Sequence, residues 1–258
     1  MSNMNMFDTI FNRKSVHHFL QEKIEWEVIA DILQFADQLP MLTDGIAVEF
    51  KLVSNIEKNQ GFHGPLAIKA PYYICLSSEE VGDYLLNAGY LMQQLNLYIE
   101  SKGLGSCFVG YASPGKTLKA NMKYNYVVAL AFGKTTEQLY RDSSEANRLP
   151  TTDLVVYKEE VSSAIHQIIE AARLAPSSYN SQPWRFVVYK NRIHVFAKKS
   201  PWLVRAFDSN KMVDMGIMMA NLLLAAEELW VEASIKKLDS LQNKKFRDNE
   251  YILTLVIG

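Results

Sequence analysis

Cysteine is nearly absent: of 258 residues only Cys75 and Cys107 are cysteine, and they form no CxxC pair. That excludes a disulfide framework and a cysteine-rich metal site, and both thiols are expected reduced, Cys75 as core filler between Ile74 and Leu76. A charge excess of either sign is also missing. Lys plus Arg is 27 against 28 for Asp plus Glu, and neither half is strongly charged, so no nucleic-acid groove or basic tail is expected. Long apolar runs are lacking too. The strongest, residues 216–226, contains Asn221 and stops at Glu227 and Glu228, too short to cross a bilayer, so it reads as a buried helix. No basic run leads into an apolar stretch at the N-terminus, so export is not expected and the cytoplasm is. The five histidines are scattered without an HExxH, which argues against metal catalysis.

A repeat is present. Shifted by 136 residues, Ile29-Ala30-Asp31-Ile32-Leu33 falls on Ile165-His166-Gln167-Ile168-Ile169, and without a gap Pro40 falls on Pro176, Asp44 on Asn180 and Phe50-Lys51-Leu52 on Phe186-Val187-Val188. At slightly different shifts Asn87-Ala88-Gly89-Tyr90 meets Asp214-Met215-Gly216-Ile217, and residues 128–133 meet 253–258. Each half reads as helix, loop, strand, strand, long apolar helix and strand, with helical spacing over 28–35 and β-rich runs over 72–76 and 192–197. That order predicts an α+β fold of two pseudo-repeated halves, 1–147 and 148–258, packed as an internal pseudo-dimer. A helix apolar nearly all round needs cover on several sides, and the other half is the simplest cover.

Two segments carry chemistry. Arg13-Lys14-Ser15-Val16-His17-His18-Phe19 offers two cations, a hydroxyl and an imidazole, a set suited to phosphate or to a solvated basic turn. Ala175-Pro176-Ser177-Ser178-Tyr179-Asn180-Ser181-Gln182-Pro183-Trp184 packs hydroxyls, amides and two prolines between a helix and a strand. Such groups suit a heteroaromatic edge that both donates and accepts, and they also suit an ordinary turn.

Together these segments resemble the flavin-binding signatures of the nitroreductase family, and Gly103-Leu104-Gly105-Ser106-Cys107-Phe108-Val109-Gly110 and Arg148-Leu149-Pro150 follow in the family's order. The chain is similar to the branch that fuses two units in one polypeptide. The resemblance implies FMN, held between units, with Arg13, Lys14, Ser15 and Arg148 toward phosphate and ribityl groups. His17 stands where Arg or Lys is usual, so its charge depends on pH. Pro176, Ser177, Ser178, Asn180 and Gln182 would line the flavin, and Val109 and Gly110 would approach it near N5. His63 is a weaker candidate for the pyrimidine edge.

The activity implied is transfer of electrons from NADH or NADPH through FMN to a small acceptor such as a nitroaromatic or quinone, with no catalytic acid or base named. A flavin sensor or store without turnover, or a narrower enzyme such as a reductive dehalogenase or a flavin-destroying enzyme, stands as the alternative. The expected state is a monomer, with a further dimer not excluded. Other motifs fall short. Gly103-x-Gly105 lacks the third glycine of a dinucleotide loop. Ser177 and Ser178 sit in no GxSxG elbow, and neither cysteine has an obvious His partner.

Overall fold

Hydrophobic spacing and turn chemistry place the elements, and the computed structural model describes them over residues 4–56, 62–64, 67–110, 112–200 and 208–258, without the side chains of His63, Ser113, Asp208 and Ser209. The chain divides into two compact units, Met1–Glu145 and Ala146–Gly258.

In the first unit α1 (Met6–Asn12) is capped by Asn5, whose side chain accepts from the Asp8 N–H, satisfying one of the donors a helix start leaves open. Then come α2 (Trp26–Asp37), β1 (Val48–Ser54), β2 (Phe62–His63), β3 (Tyr72–Ser78), α3 (Tyr84–Ser101), β4 (Gly105–Val109), β5 (Ser113–Pro114), α4 (Lys116–Ala120) and β6 (Asn125–Gly133). The second unit runs α5 (Thr151–Leu154), β7 (Val155–Tyr157), α6 (Ser163–Arg173), β8 (Trp184–Tyr189), β9 (Arg192–Lys198), α7 (Asp208–Glu228), β10 (Ala233–Lys236), α8 (Asp239–Gln242) and β11 (Asn249–Ile257). Two short 3-10 turns lie at Ser143–Glu145, at the end of the first unit, and at Ser178–Asn180 in the second.

The sheets bear out the repeat. The first is ordered β1-β3-β6-β4, and the second, read from one side, β8-β9-β11-β10, with β7 added parallel to β8 at the edge. Every other pairing in the two sheets is antiparallel. A one-residue bulge interrupts the last strand of each unit, skipping Val127 in β6 and Ile252 in β11. Four strands in one order with a bulge at corresponding places give the repeat a structural basis. The fold is α+β, as expected.

The central helices are buried nearly all round. On α3 every residue from Leu86 to Glu100 is buried except Tyr90 and Tyr98, and on α7 the same holds from Val213 to Leu222. Helix α3 packs on α1, α2 and one face of its sheet. Core side chains Val53, Phe62, Tyr73, Cys75, Val109, Ala129 and Ala131 cluster together within the same unit. Burial pushes the Cys75 and Cys107 thiols up to about 12, so neither is a thiolate near neutrality. Among the described residues no helix is long and apolar enough to cross a membrane.

Candidate functional site

In the first unit, the segment after α1 lies along the chain that follows β6. Lys14 N donates to Leu139 O, Leu20 N to Lys134 O and Arg141 N to Asn12 O. On its other side Val16 N donates to Ser106 O at 3.0 Å, and Val16 packs so tightly over Gly105 that a Cβ there would come within 2.9 Å of its side chain. The glycines before β4 therefore have distinct causes. Gly103 takes the left-handed turn that ends α3, at φ 78°, a conformation that residues bearing a Cβ avoid. Gly105 makes room for Val16.

Arg13 is only 3% exposed, and so is Glu100 of α3. Arg13 Nε donates to both Glu100 oxygens at 3.1 and 3.0 Å, and Nη2 donates to Glu100 Oε1 at 2.9 Å and to Ser15 Oγ at 3.0 Å. The Ser106 hydroxyl sits between Glu100 and Asn96, whose amide in turn reaches Gln93. Burial pushes the Glu100 carboxyl above the ordinary range, against the pull of Arg13 and Ser106. The resemblance assigned Arg13, with Lys14, Ser15 and Arg148, to phosphate and ribityl groups. In the structure one edge of the Arg13 guanidinium serves as counter-ion to Glu100, and only Nη1 takes no part in these contacts.

Lys14 is half-buried and makes no ion pair among the described residues. His17 is exposed, and its N–H, with the His18 N–H and ring, converges on Glu137 Oε1 at 3.2, 2.7 and 2.8 Å. Val109 is buried in β4 and Gly110 is exposed just beyond it. A Cβ built on Gly110 would meet nothing within 4 Å, so neither protein packing nor a left-handed backbone demands glycine there. The His63 side chain, and residues 57–61 and 65–66 beside it, lie outside the described residues.

In the second unit the loop 176–182 joins α6 to β8. Tyr179, Asn180 and Gln182 hold left-handed backbones, φ 53°, 55° and 46°. For a side chain as bulky as Tyr179 that conformation costs on the order of 1–3 kcal/mol and persists only where surrounding bonds over-determine it. Those bonds are present. Arg148 donates to Leu174 O and Ala175 O at the end of α6, to Asn147 O and to Asn180 Oδ1, a cation placed where the helix dipole favours it. Asn180 Nδ2 returns a bond to Asn147 O.

Gln182, expected to line a ligand, is 2% exposed and works as a brace. Its Oε1 accepts from Leu149 N at 2.7 Å, its Nε2 donates to Asn180 O and Oδ1, and its backbone N–H donates to Ser177 Oγ at 3.0 Å. Pro176 and Ser178 are half-buried, and Tyr179 is 70% exposed.

Two residues outside the expected set hold these regions: Glu100, and Asp214 of α7. Asp214 Oδ1 accepts from the Ser178 N–H at 2.9 Å and the Ser178 hydroxyl at 3.1 Å, while Oδ2 accepts from the Ser181 hydroxyl at 3.5 Å. Burial pushes its carboxyl up to about 7, against the pull of those donors. The first unit repeats the tether: Asn87 Oδ1 accepts from the Leu42 N–H at 2.9 Å, and Leu42 and Asn87 are the repeat partners of Ser178 and Asp214. The signal was a polar residue recurring at repeat partners near the start of the two central helices, Asn87 and Asp214.

Comparison with known proteins adds the following. Residues 5–226 match the family model described as Putative TM nitroreductase. An oxygen-insensitive NADPH nitroreductase of Helicobacter acinonychis (strain Sheeba) is 31% identical over 90 residues, which span 35% of this chain and 36% of that protein. The chain thus spans about a third of the length of the curated relative it matches. A solved structure of a putative nitroreductase from Thermotoga maritima superposes with a TM-score of 0.68 at 23% identity, over 100% of this chain and 95% of that one. An FMN-dependent nitroreductase from Clostridium difficile R20291 aligns with 54% of this chain and 94% of its own, at 22% identity and a TM-score of 0.43.

Proposed function

Since the chain belongs to the nitroreductase family, its model matching residues 5–226, we propose that it is an FMN-dependent oxidoreductase passing electrons from a reduced nicotinamide to a small acceptor such as a nitroaromatic or quinone. The observation that carries this reading is the family match over both halves, and the donor set of each unit fits the cofactor. Lys14, Ser15 and the uncommitted Nη1 of Arg13 supply cationic and hydroxyl donors of the kind a phosphate needs. The open space at Gly110 fits a ring brought against the backbone, because none of the described residues lies within 4 Å of a Cβ built there. Ser177 and Ser178 offer hydroxyls on a loop whose shape is fixed by Arg148, Asn180 and Gln182, so little ordering entropy is lost on binding.

When bound, FMN supplies the hydride and electron chemistry. The chain's own residues would bind and orient: in the first unit Lys14 and Arg13 offer donors to an anionic group, and in the second the loop clamped by Arg148 offers a polar edge. Reduced nicotinamide as donor rests on the name of the Helicobacter acinonychis relative. Two features of this chain support one FMN per chain. Arg13-Lys14-Ser15 has Leu149-Pro150-Thr151 as its repeat partner, with Asp153 opposite His17, and Ser177-Ser178-Tyr179-Asn180 has Met41-Leu42-Thr43-Asp44. Where the first unit has His17, a phosphate in the second would meet the like charge of Asp153.

The test is anaerobic mixing of the purified holoprotein with NADH or NADPH while the flavin absorbance is followed. Rapid bleaching, then recovery on adding a quinone or nitroaromatic, is the expected result. A yellow protein that does not bleach with either nucleotide would overturn turnover in favour of a sensor or store, and a colourless one that fails to take up FMN would overturn the flavin reading itself.

A further inference from the structure

Asp214 is a buried carboxyl that the proposed electron transfer does not use. Keeping it ionised is costly, since burial raises its pKa to about 7. A backbone tether alone does not require a charge, because Asn87 holds the Leu42 N–H at the same 2.9 Å separation that Asp214 holds the Ser178 N–H. What the carboxylate adds is a set of acceptors with no donor at all. Facing it, the Ser178 hydroxyl donates inward at 3.1 Å and Ser181 at 3.5 Å.

A serine whose hydrogen is committed inward presents only its oxygen lone pairs elsewhere. Ser177 is in the opposite condition. Its Oγ accepts from the Gln182 N–H at 3.0 Å, and among the described residues its own hydrogen has no acceptor. Adjacent serines are thus biased in opposite senses, Ser177 toward donating and Ser178 toward accepting.

We propose that Asp214 is a positioning residue that fixes Ser178 as a hydrogen-bond acceptor toward the bound cofactor, making the loop selective for a flavin that presents a donor there. The inference rests on the flavin reading above. In FMN a donor can come from the imide N–H of the ring or from a ribityl hydroxyl, and the shared chemistry is one O–H or N–H pointed at Ser178 Oγ.

The experiment compares FMN with 3-methyl-FMN, which lacks the imide donor, and with ribityl-deoxy FMN analogues, which lack one hydroxyl each. Binding to the apoprotein is titrated at pH 8, where Asp214 is ionised, in wild type, Ser178→Ala, Asp214→Ala and Asp214→Asn. One analogue should bind wild type about fivefold to tenfold more weakly than FMN, the size expected for one hydrogen bond of ordinary net strength. Which analogue it is identifies the donor. That discrimination should vanish in Ser178→Ala and Asp214→Ala, and weaken in Asp214→Asn, whose amide can turn a donor toward the serine hydroxyls.

A merely structural role would weaken all ligands together and leave the ratios alone. If Asp214→Ala does not fold, Ser178→Ala decides by itself. The proposal is overturned if wild type binds every analogue as well as FMN, or if the discrimination survives in Ser178→Ala. Failure of wild type to bind FMN at all would instead overturn the flavin reading, so the two failures are distinguishable.

Discussion

Consider removal of one partner from the Arg13–Glu100 pair. Both side chains are 3% exposed, and three donor contacts of 2.9–3.1 Å join them. Breaking such a pair leaves an uncompensated buried charge, at a cost of about 3–5 kcal/mol. In a unit of this size that lowers Tm by roughly 6–20 °C. The two halves of the pair should differ in pH dependence. In Arg13→Met the orphaned Glu100 can take up a proton, and burial already pushes its carboxyl upward. Its folded pKa then stands above the unfolded one, so the native state binds the extra proton and stability falls as pH rises. The penalty of Arg13→Met should accordingly be smaller at pH 5 than at pH 8. In Glu100→Gln the guanidinium cannot shed its charge, so a buried cation is left uncompensated at both pH values. Replacing both by apolar residues, as in Arg13→Met with Glu100→Leu, should recover most of the loss, because no charge is left in the interior. Calorimetry of the flavin-free protein at the two pH values reads all of this. A cost under 1 kcal/mol for Arg13→Met at pH 8, or a double variant no better than the singles, would refute the reasoning.

Further outcomes are expected. Lys14→Ala should weaken FMN more than riboflavin in equilibrium titrations, by about 10- to 100-fold for a charge-assisted phosphate contact, and equal losses would remove Lys14 from the phosphate role. Gly105→Ala should destabilise by about 1–3 kcal/mol, since the added Cβ would lie 2.9–3.1 Å from three Val16 atoms. Gly110→Ala should leave urea stability unchanged to about 0.5 kcal/mol yet reduce FMN affinity. For Asp214 the folded value of about 7 exceeds the ordinary 3.8, so wild type should gain stability over Asp214→Asn as pH falls from 8 to 5. The shift corresponds to an upper bound on the order of 4 kcal/mol, and urea titrations in which the stability difference does not move in favour of wild type at low pH would contradict it.

Much of the architecture was legible because apolar spacing survives duplication. The shift of 136 carries β1 onto β8 residue for residue at its start, Val48 onto Trp184, and α2 onto α6 to within one residue. The parallel edge strand β7 was not foreseen. Three residues, Val155, Val156 and Tyr157, have no period to read. At the site, residue type located the segments but not their internal partners. Arg13 reads as a surface cation until Glu100, far along the chain, is folded against it. Gln182 likewise reads as a lining amide until Leu149 and Asn180 take up its donors and acceptor. Such long-range pairings leave no local pattern, and only the Asn87 and Asp214 correspondence had a trace in the repeat.

The connection between the first two strands of the repeated order differs sharply between the units. Residues 190–191 alone turn β8 into β9, while residues 55–71 separate β1 from β3. Chain closure over the longer span costs roughly 2 kcal/mol more in entropy. The second unit therefore holds a local hairpin that can form by itself within microseconds, whereas the first must bring distant segments together before any ladder bond rewards it. On refolding, the half made last by the ribosome should assemble its sheet first. Both halves share one topology, and the longer connection in the first should make it the slower to fold.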